Sequence, residues 1–236
     1  MIQIHGASHT GSVRSRNEDS YGMTGAAASV VDGEIVSSRV RGRACLGVVA
    51  DGLGGHPCGD VASRIAVETV MDAAPSADAL VVAVHEANAA IIAAMDDSDG
   101  SVTMGTTLAA VAIDGDELAV VNVGDSTVFA LVDGRLEQLS VDDSPRGGGP
   151  TSFVTQTLGG ASELIEVIPH VHLDDVDAVQ RLLLCTDGLT NFVPFDLIET
   201  ALLEHAGATA VEVLIASTLA AGAPDNVTVM VVDLEQ

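Results

Sequence analysis

The chain has 236 residues, 34 acidic against 9 basic, and a formal net charge of −25; every basic residue is an arginine. That balance repels nucleic acid and anionic membrane surfaces, and favours metal cations or a basic partner. With 47% apolar residues, no Trp, one Tyr and four Phe, the chain is long enough for a sizeable core, and that core must be aliphatic. No uninterrupted apolar run reaches the length of a membrane span, since the best candidate, 79–95, carries His85 and Glu86 in its middle. The opening "MIQIHGASHTGS" lacks the basic and apolar regions of a signal peptide. Cys45, Cys58 and Cys185 show no paired or metal-ligand spacing. A cytoplasmic protein with reduced thiols is expected.

In chain order, residues 2–5 and 20–23 read as short strands. The Ala- and Ser-rich segment 24–43 has Asp32-Gly33 between "SVV" and "EIVSSRV", which predicts a hairpin. "CLGVVA" (45–50) is a buried strand. "GDVASRIAVETVMDAA" (59–74) has helical spacing, with Asp60 as its expected cap. Residues 76–95 form a longer helix, apolar over much of its circumference. "TTLAAVAI", "ELAVVNV", "STVFALV" and "RLEQLS", joined by short turns, predict a four-stranded antiparallel meander. A Gly/Pro-rich loop, "DDSPRGGGPTS" (142–152), follows. Further strands are expected at 164–173, 181–185 and 226–234, and helices at 196–205 and 209–221. There is no internal repeat and no linker, so one domain over residues 1–236 is expected. The pattern is that of an α+β fold, with two antiparallel sheets flanked by helices.

Asp-Gly occurs six times, at 32, 51, 99, 114, 133 and 187. Flanking strands make turns of those at 32, 114 and 133, and Asp99-Gly100 lies in a polar loop. Asp51-Gly52 and Asp187-Gly188 differ, because each ends an apolar run ("LGVVA", "LLLCT") and precedes a loop and then a helix. Asp225 stands in the mirror position, before the strand "VTVMVV". A fourth cluster, "VRSRNEDS" (13–20), sets Arg14 four residues ahead of Glu18 and Asp19. Carboxylates gathered at one sheet edge repel unless protonated or bridged by cations, and oxygen-only ligands suit Mg²⁺ or Mn²⁺. Gly52 would let the backbone bend so that its carbonyl faces an ion.

The blocks "VRSRNEDS", "VVADGLGGH", "MGTTL", "VGDS", "LLLCTDGL" and "PDNVTV", in that order over residues 11–233, resemble the bacterial branch of the metal-dependent protein phosphatases, the protein phosphatase 2C type. The resemblance implies a sandwich of two antiparallel sheets with helix pairs outside. It implies that Asp51 bridges two Mn²⁺ or Mg²⁺ ions, that Asp187 and Asp225 complete one ion's ligands, and that the Gly52 carbonyl and Glu18 serve the other. Asp19 would stand behind the ligands, and Asp125 would contribute to a weak third ion. Arg14 would clamp the phosphate, since a guanidinium matches phosphate oxygens in a fork. A water between the ions would attack phosphorus in line, with no protein nucleophile. Animal members carry a histidine directly after the Asp-Gly, where this chain has Leu53; His56 matches the bacterial pattern and is read as structural.

Three departures from the family pattern stand out. Thr127 replaces the usual Arg after "GDS", and Asn191 replaces an Asp that would serve the third ion. Only "SPRGGGPTSFVTQT" (144–157) occupies the place of a longer flap. The expected function is therefore a monomeric serine/threonine phosphatase acting on a phosphoprotein, paired with a Ser/Thr kinase. The rival is a phosphatase-fold module of low turnover that binds phosphoproteins in regulation. The trimmed flap and Asn191 favour the rival; the intact Arg14, Asp51, Asp187 and Asp225 favour the enzyme.

Overall fold

The computed structural model describes residues 1–28, 31–53, 58–96, 103–144, 154–160 and 166–234. The first strands are β1 (Ile2–His9), β2 (Ser20–Met23), β3 (Val36–Val40), β4 (Ala44–Ala50) and the two-residue β5 (Gly52–Leu53). Two helices follow, α1 (Gly59–Met71) and α2 (Ala77–Asp96). Then come β6 (Gly105–Thr106), β7 (Leu108–Asp114), β8 (Glu117–Val123), β9 (Thr127–Val132), β10 (Arg135–Gln138), β11 (Leu158–Gly159), β12 (His170–Asp175) and β13 (Arg181–Cys185). The chain closes with α3 (Asp187–Thr190), α4 (Phe195–Glu204), α5 (Gly207–Ala220) and β14 (Val227–Leu234).

One sheet has the order β10-β9-β13-β14-β1-β3 and the other β12-β8-β7-β4-β2, and every adjacent pair is antiparallel. A small third sheet, β11-β6-β5, was not expected from the sequence. The period-2 geometry of a strand sorts the apolar residues into three layers. On β4, Leu46, Val48 and Ala50 pack under α1 and α2 beside Ala66, Val70, Leu80 and Ile91. Cys45 and Val49 face the other sheet, where Leu182, Leu184, Met230 and Val232 meet them. From the opposite faces of β13 and β14, Leu183, Cys185, Val229 and Val231 pack against Ile198, Leu202, Val211 and Leu214 of α4 and α5. Both faces of the central strands are covered, which is why "LGVVA" and "LLLC" read as continuous apolar runs. The result is a four-layer αββα sandwich, as expected. Helix α2 has the length and apolarity of a membrane span, but Leu80, Val84, Ala87 and Ile91 are buried against the sheet.

Three local expectations are corrected. The supposed meander is two hairpins in different sheets: β7 pairs with β8, β9 with β10, and the chain changes sheet at Gly124–Ser126. Short turn length alone does not reveal such a crossover, because a strand apolar on both faces pairs equally well in either sheet. Asp32-Gly33 is a turn, with Glu34 N–H donating to the Val31 carbonyl, and β3 pairs with β1; residues 29 and 30 of the expected hairpin lie outside the described residues. Asp60 does not cap α1; Cys58 holds that position without a side-chain bond, and Asp60 lies in the first turn, where its charge faces the positive end of the helix dipole. Strand β12 begins at His170, not 164, and residues 166–169 are irregular. His56, Asp99-Gly100 and most of the loop 142–152 lie outside the described residues. The three cysteines are unpaired, and burial pushes the Cys45 thiol up to about 12.

Candidate functional site

Strand ends from both sheets converge on one cleft of about 220 Å³, lined by Arg14, Glu18, Asp51, Gly52, Leu53, Asp125, Val154, Asp187, Asp225 and Asn226. Of the site residues expected from the sequence, only Asp19 lies outside the lining; it is buried just behind it.

Each carboxylate is delivered by backbone that is itself tied down. Asp51 follows β4; its N–H donates to Thr107 Oγ1 at 3.0 Å, and its carbonyl accepts from Thr107 N–H at 2.9 Å and Thr106 Oγ1 at 2.8 Å. Gly52 donates to the Glu18 carbonyl at 3.2 Å. A Cβ on Gly52 would lie 2.3 Å from the Gly59 carbonyl oxygen, so glycine is required here for close backbone approach. Asp187 opens α3 directly, without the intervening loop the sequence suggested. A Cβ on Gly188 would lie 1.9 Å from the Asn226 carbonyl oxygen, which brings the end of β13 onto the start of β14.

The 10–19 segment is held by Asn226, whose Nδ2 donates to the Thr10 and Arg16 carbonyls at 2.8 and 2.9 Å. Its Oδ1 accepts from Glu18 N–H at 2.9 Å. This places Arg14 over the cleft, where Nη2 donates to Asp225 Oδ2 at 2.7 Å. The Glu18 carboxylate accepts from Gly59 N–H at the start of α1. Asp19 is buried; its Oδ2 accepts from Thr186 Oγ1 at 2.9 Å and Thr228 Oγ1 at 2.7 Å, and its Oδ1 has no partner. Asn226, Thr107, Thr186 and Thr228 have positioning roles that the sequence reading did not assign. Each lies inside a quoted block ("PDNVTV", "MGTTL", "LLLCTDGL"), and that placement was the available signal.

The electrostatics follow from crowding four acids in low dielectric. Burial first, then Asp19, Asp187 and Asp225, hold the Asp51 carboxyl well above the usual carboxylate range. Burial raises Asp187 as well, and the Asp51 and Asp187 carboxyl groups lie within hydrogen-bonding reach of each other. Burial pushes Asp19 and Asp125 up to about 7. Asn191 Nδ2 donates to Asp187 Oδ2 at 2.9 Å, so it steadies that carboxylate instead of adding a charge. Thr127, where family members carry Arg, is buried and donates to the Asp125 carbonyl at 3.1 Å.

This donor set fits hard divalent cations: it is all oxygen, strongly anionic, largely shielded, and leaves the buried Asp19 Oδ1 unpartnered beside it. As the side chains stand, no three His, Cys, Asp or Glu groups among the described residues are arranged around one ion. Asp225 is engaged with Arg14, and Asp51 with Asp187. Ion binding would draw these acids out of those pairings.

A family model described as "Protein phosphatase 2C" matches residues 28–220. The serine/threonine protein phosphatase PstP of Mycobacterium tuberculosis is 33% identical over 255 residues, covering 99% of this chain but 45% of the relative, so the chain spans about half of that protein's length. The serine/threonine phosphatase stp of Listeria monocytogenes is 32% identical over 211 residues, covering 79% of this chain and 83% of the relative. Among solved structures, the catalytic domain of PstP in complex with two manganese ions superposes with a TM-score of 0.80 at 31% identity, over 100% of both chains.

Proposed function

The chain belongs to the protein phosphatase 2C family, and on that premise we propose that it is a metal-dependent phosphoserine/phosphothreonine phosphatase acting at the Asp51 cleft. The observation that carries the proposal is the convergence of Asp51, Asp187 and Asp225 from three strand ends on one cleft with Arg14 at its rim. Asp51, Asp187, Asp225, Glu18 and the Gly52 carbonyl would hold two Mn²⁺ or Mg²⁺ ions. Bound there, the ions supply an activated water and neutralise phosphate charge. Arg14, which here donates to Asp225, would be the group to take phosphate oxygens once Asp225 served a metal ion. Asp19, fixed by Thr186 and Thr228, sets its carboxyl group behind Asp51. Cys45 and Cys185 do not compete as nucleophiles, because both thiols are buried and their pKa values raised, and Cys58 is not among the residues lining the cleft.

Asp125 opens onto the same cleft and would take a third ion. Asn191 brings no charge to that position, so a third ion would bind more weakly than the other two. Asn191→Asp should tighten it, visible as an added metal-binding phase in calorimetry; a wild-type chain already holding three ions at low millimolar Mn²⁺ refutes this.

The wider reading is a single catalytic domain over residues 1–236, monomeric and cytoplasmic, opposing a Ser/Thr kinase on phosphoprotein substrates. It is supported by the acidic composition, by the three packed layers of one sandwich and by relatives that are serine/threonine phosphatases. The test is hydrolysis of p-nitrophenyl phosphate with and without Mn²⁺. Turnover that needs Mn²⁺ and is lost on chelation is expected. Binding of a phosphothreonine peptide without turnover would favour the regulatory module instead.

A further inference from the structure

Asp143 lies outside the cleft lining, yet it ties together two segments that reach the cleft. Its side chain is only 13% exposed. Oδ1 accepts from His170 Nε2 at 2.9 Å, at the first residue of β12. Oδ2 accepts from Gly124 N–H at 2.9 Å and from Gln156 Nε2 at 2.9 Å. Its backbone adds two bonds: Asp143 N–H donates to the Gly124 carbonyl at 3.0 Å, and the Asp143 carbonyl accepts from Thr155 N–H at 2.7 Å. Gln156 in turn pairs with both backbone groups of Ile168, at 2.8 and 3.0 Å.

The consequence lies one residue away in each direction. Gly124 precedes Asp125, and Thr155 follows Val154; Asp125 and Val154 both line the cleft. Gly124 has a φ of +95° and packs against Thr107, whose Oγ1 bonds Ser126 Oγ at 2.6 Å and accepts from Asp51 N–H. Hydrogen bonds therefore run from His170 through Asp143 to Gly124, and, across the Gly124–Ser126 turn, from Ser126 through Thr107 to the backbone of Asp51. A shielded carboxylate that accepts three hydrogen bonds defines its surroundings more sharply than a solvated one.

We propose that Asp143 is a positioning residue for substrate selectivity, holding Val154 and Asp125 in the cleft wall through His170, Gln156 and Gly124. The proposal rests on the phosphatase reading above. A small aryl phosphate needs the ions and Arg14, whereas a phosphopeptide must also meet the wall. Loss of the clamp therefore acts on peptide binding before it acts on turnover.

The test compares wild type, Asp143→Ala, Asp143→Asn and Gln156→Ala on p-nitrophenyl phosphate and a phosphothreonine peptide at saturating Mn²⁺. Asp143→Ala should raise the peptide KM by about tenfold while kcat stays within about threefold and the aryl phosphate KM moves little. Asp143→Asn, which can accept from Gly124 and Gln156 and donate to His170 Nε2 in the tautomer that leaves this nitrogen without a proton, should restore the peptide KM. Gln156→Ala removes one arm and should give a smaller rise of the same kind, and it carries the test if Asp143→Ala fails to fold. A fall in kcat equal for both substrates with KM unchanged would mean loss of folded enzyme only, and would overturn the proposal. So would an Asn variant as impaired as Ala. Wild-type protein without Mn²⁺-dependent turnover on either substrate overturns the phosphatase reading itself, a result separate from these.

Discussion

The same dipeptide, Asp-Gly, does opposite work at the two ends of this sandwich. At the hairpin end, Gly115 and Gly134 have φ of +63° and +75°, and a Cβ on either would meet nothing within 4 Å. Asp133 is itself at φ +50°, as a tight two-residue hairpin turn requires. At the cleft end, Gly52 and Gly188 lie outside the left-handed region, and the space a Cβ would need is filled by the Gly59 and Asn226 backbones. One glycine solves a conformational problem and the other a packing problem. The aspartates divide in the same way: Asp133 serves a turn, while Asp51 and Asp187 are shielded acids held beside one another.

The strongest way to break this comparison is to remove the charge while keeping the shape. Asp51→Asn should lower kcat by roughly two to three orders of magnitude, as losing one electrostatic group at a reacting centre does, with an unchanged far-ultraviolet circular dichroism spectrum. Near-normal turnover at saturating Mn²⁺ would remove Asp51 from the metal centre. The packing half is tested by methyl groups. Gly188→Ala should cost about 3 kcal/mol in denaturant unfolding, because the contact is with backbone that cannot rotate away. Gly115→Ala should cost about 1 kcal/mol, the strain of a left-handed alanine. Equal costs at the two positions would erase the distinction.

The shielded acids also set a pH dependence that the hairpin acids do not share. Asp19 ionises near 3.8 when unfolded but at about 7 in the fold. Below pH 3.8 both states are protonated and the group contributes nothing. Between the two values the native state binds the extra proton, so stability falls as pH rises, and the full penalty is present above about 7. Asp125 acts in the same direction. The metal-free chain should therefore melt roughly 10 °C lower at pH 8 than at pH 5, and Mn²⁺ should recover most of the difference at pH 8. A flat profile for the metal-free chain would contradict the burial argument. At the rim, Arg14→Ala should raise the aryl phosphate KM by about tenfold with a lesser fall in kcat. An unchanged KM would take Arg14 out of the phosphate site.

Much of the sandwich was legible in the sequence because strand and helix periodicity are local. Continuous apolar runs at 46–50 and 182–185 announced strands covered on both faces, and an Asp at the end of each marked where the cleft would open. The ordered blocks from "VRSRNEDS" to "PDNVTV" placed Arg14, Glu18, Asp51, Asp187 and Asp225 in one site, and the fold brings all five to one cleft. Tertiary structure alone decided which sheet each strand joined, since β8 and β9 are equally apolar and only the Gly124 turn sends the chain across. It also decided that β3 pairs with β1, thirty or more residues away in sequence. The burial of Asp19 between Thr186 and Thr228 and the gathering of His170, Gln156 and Gly124 on Asp143 are likewise long-range. No local pattern encodes them, because a hydrogen bond between residues far apart in the chain leaves no periodicity in either segment.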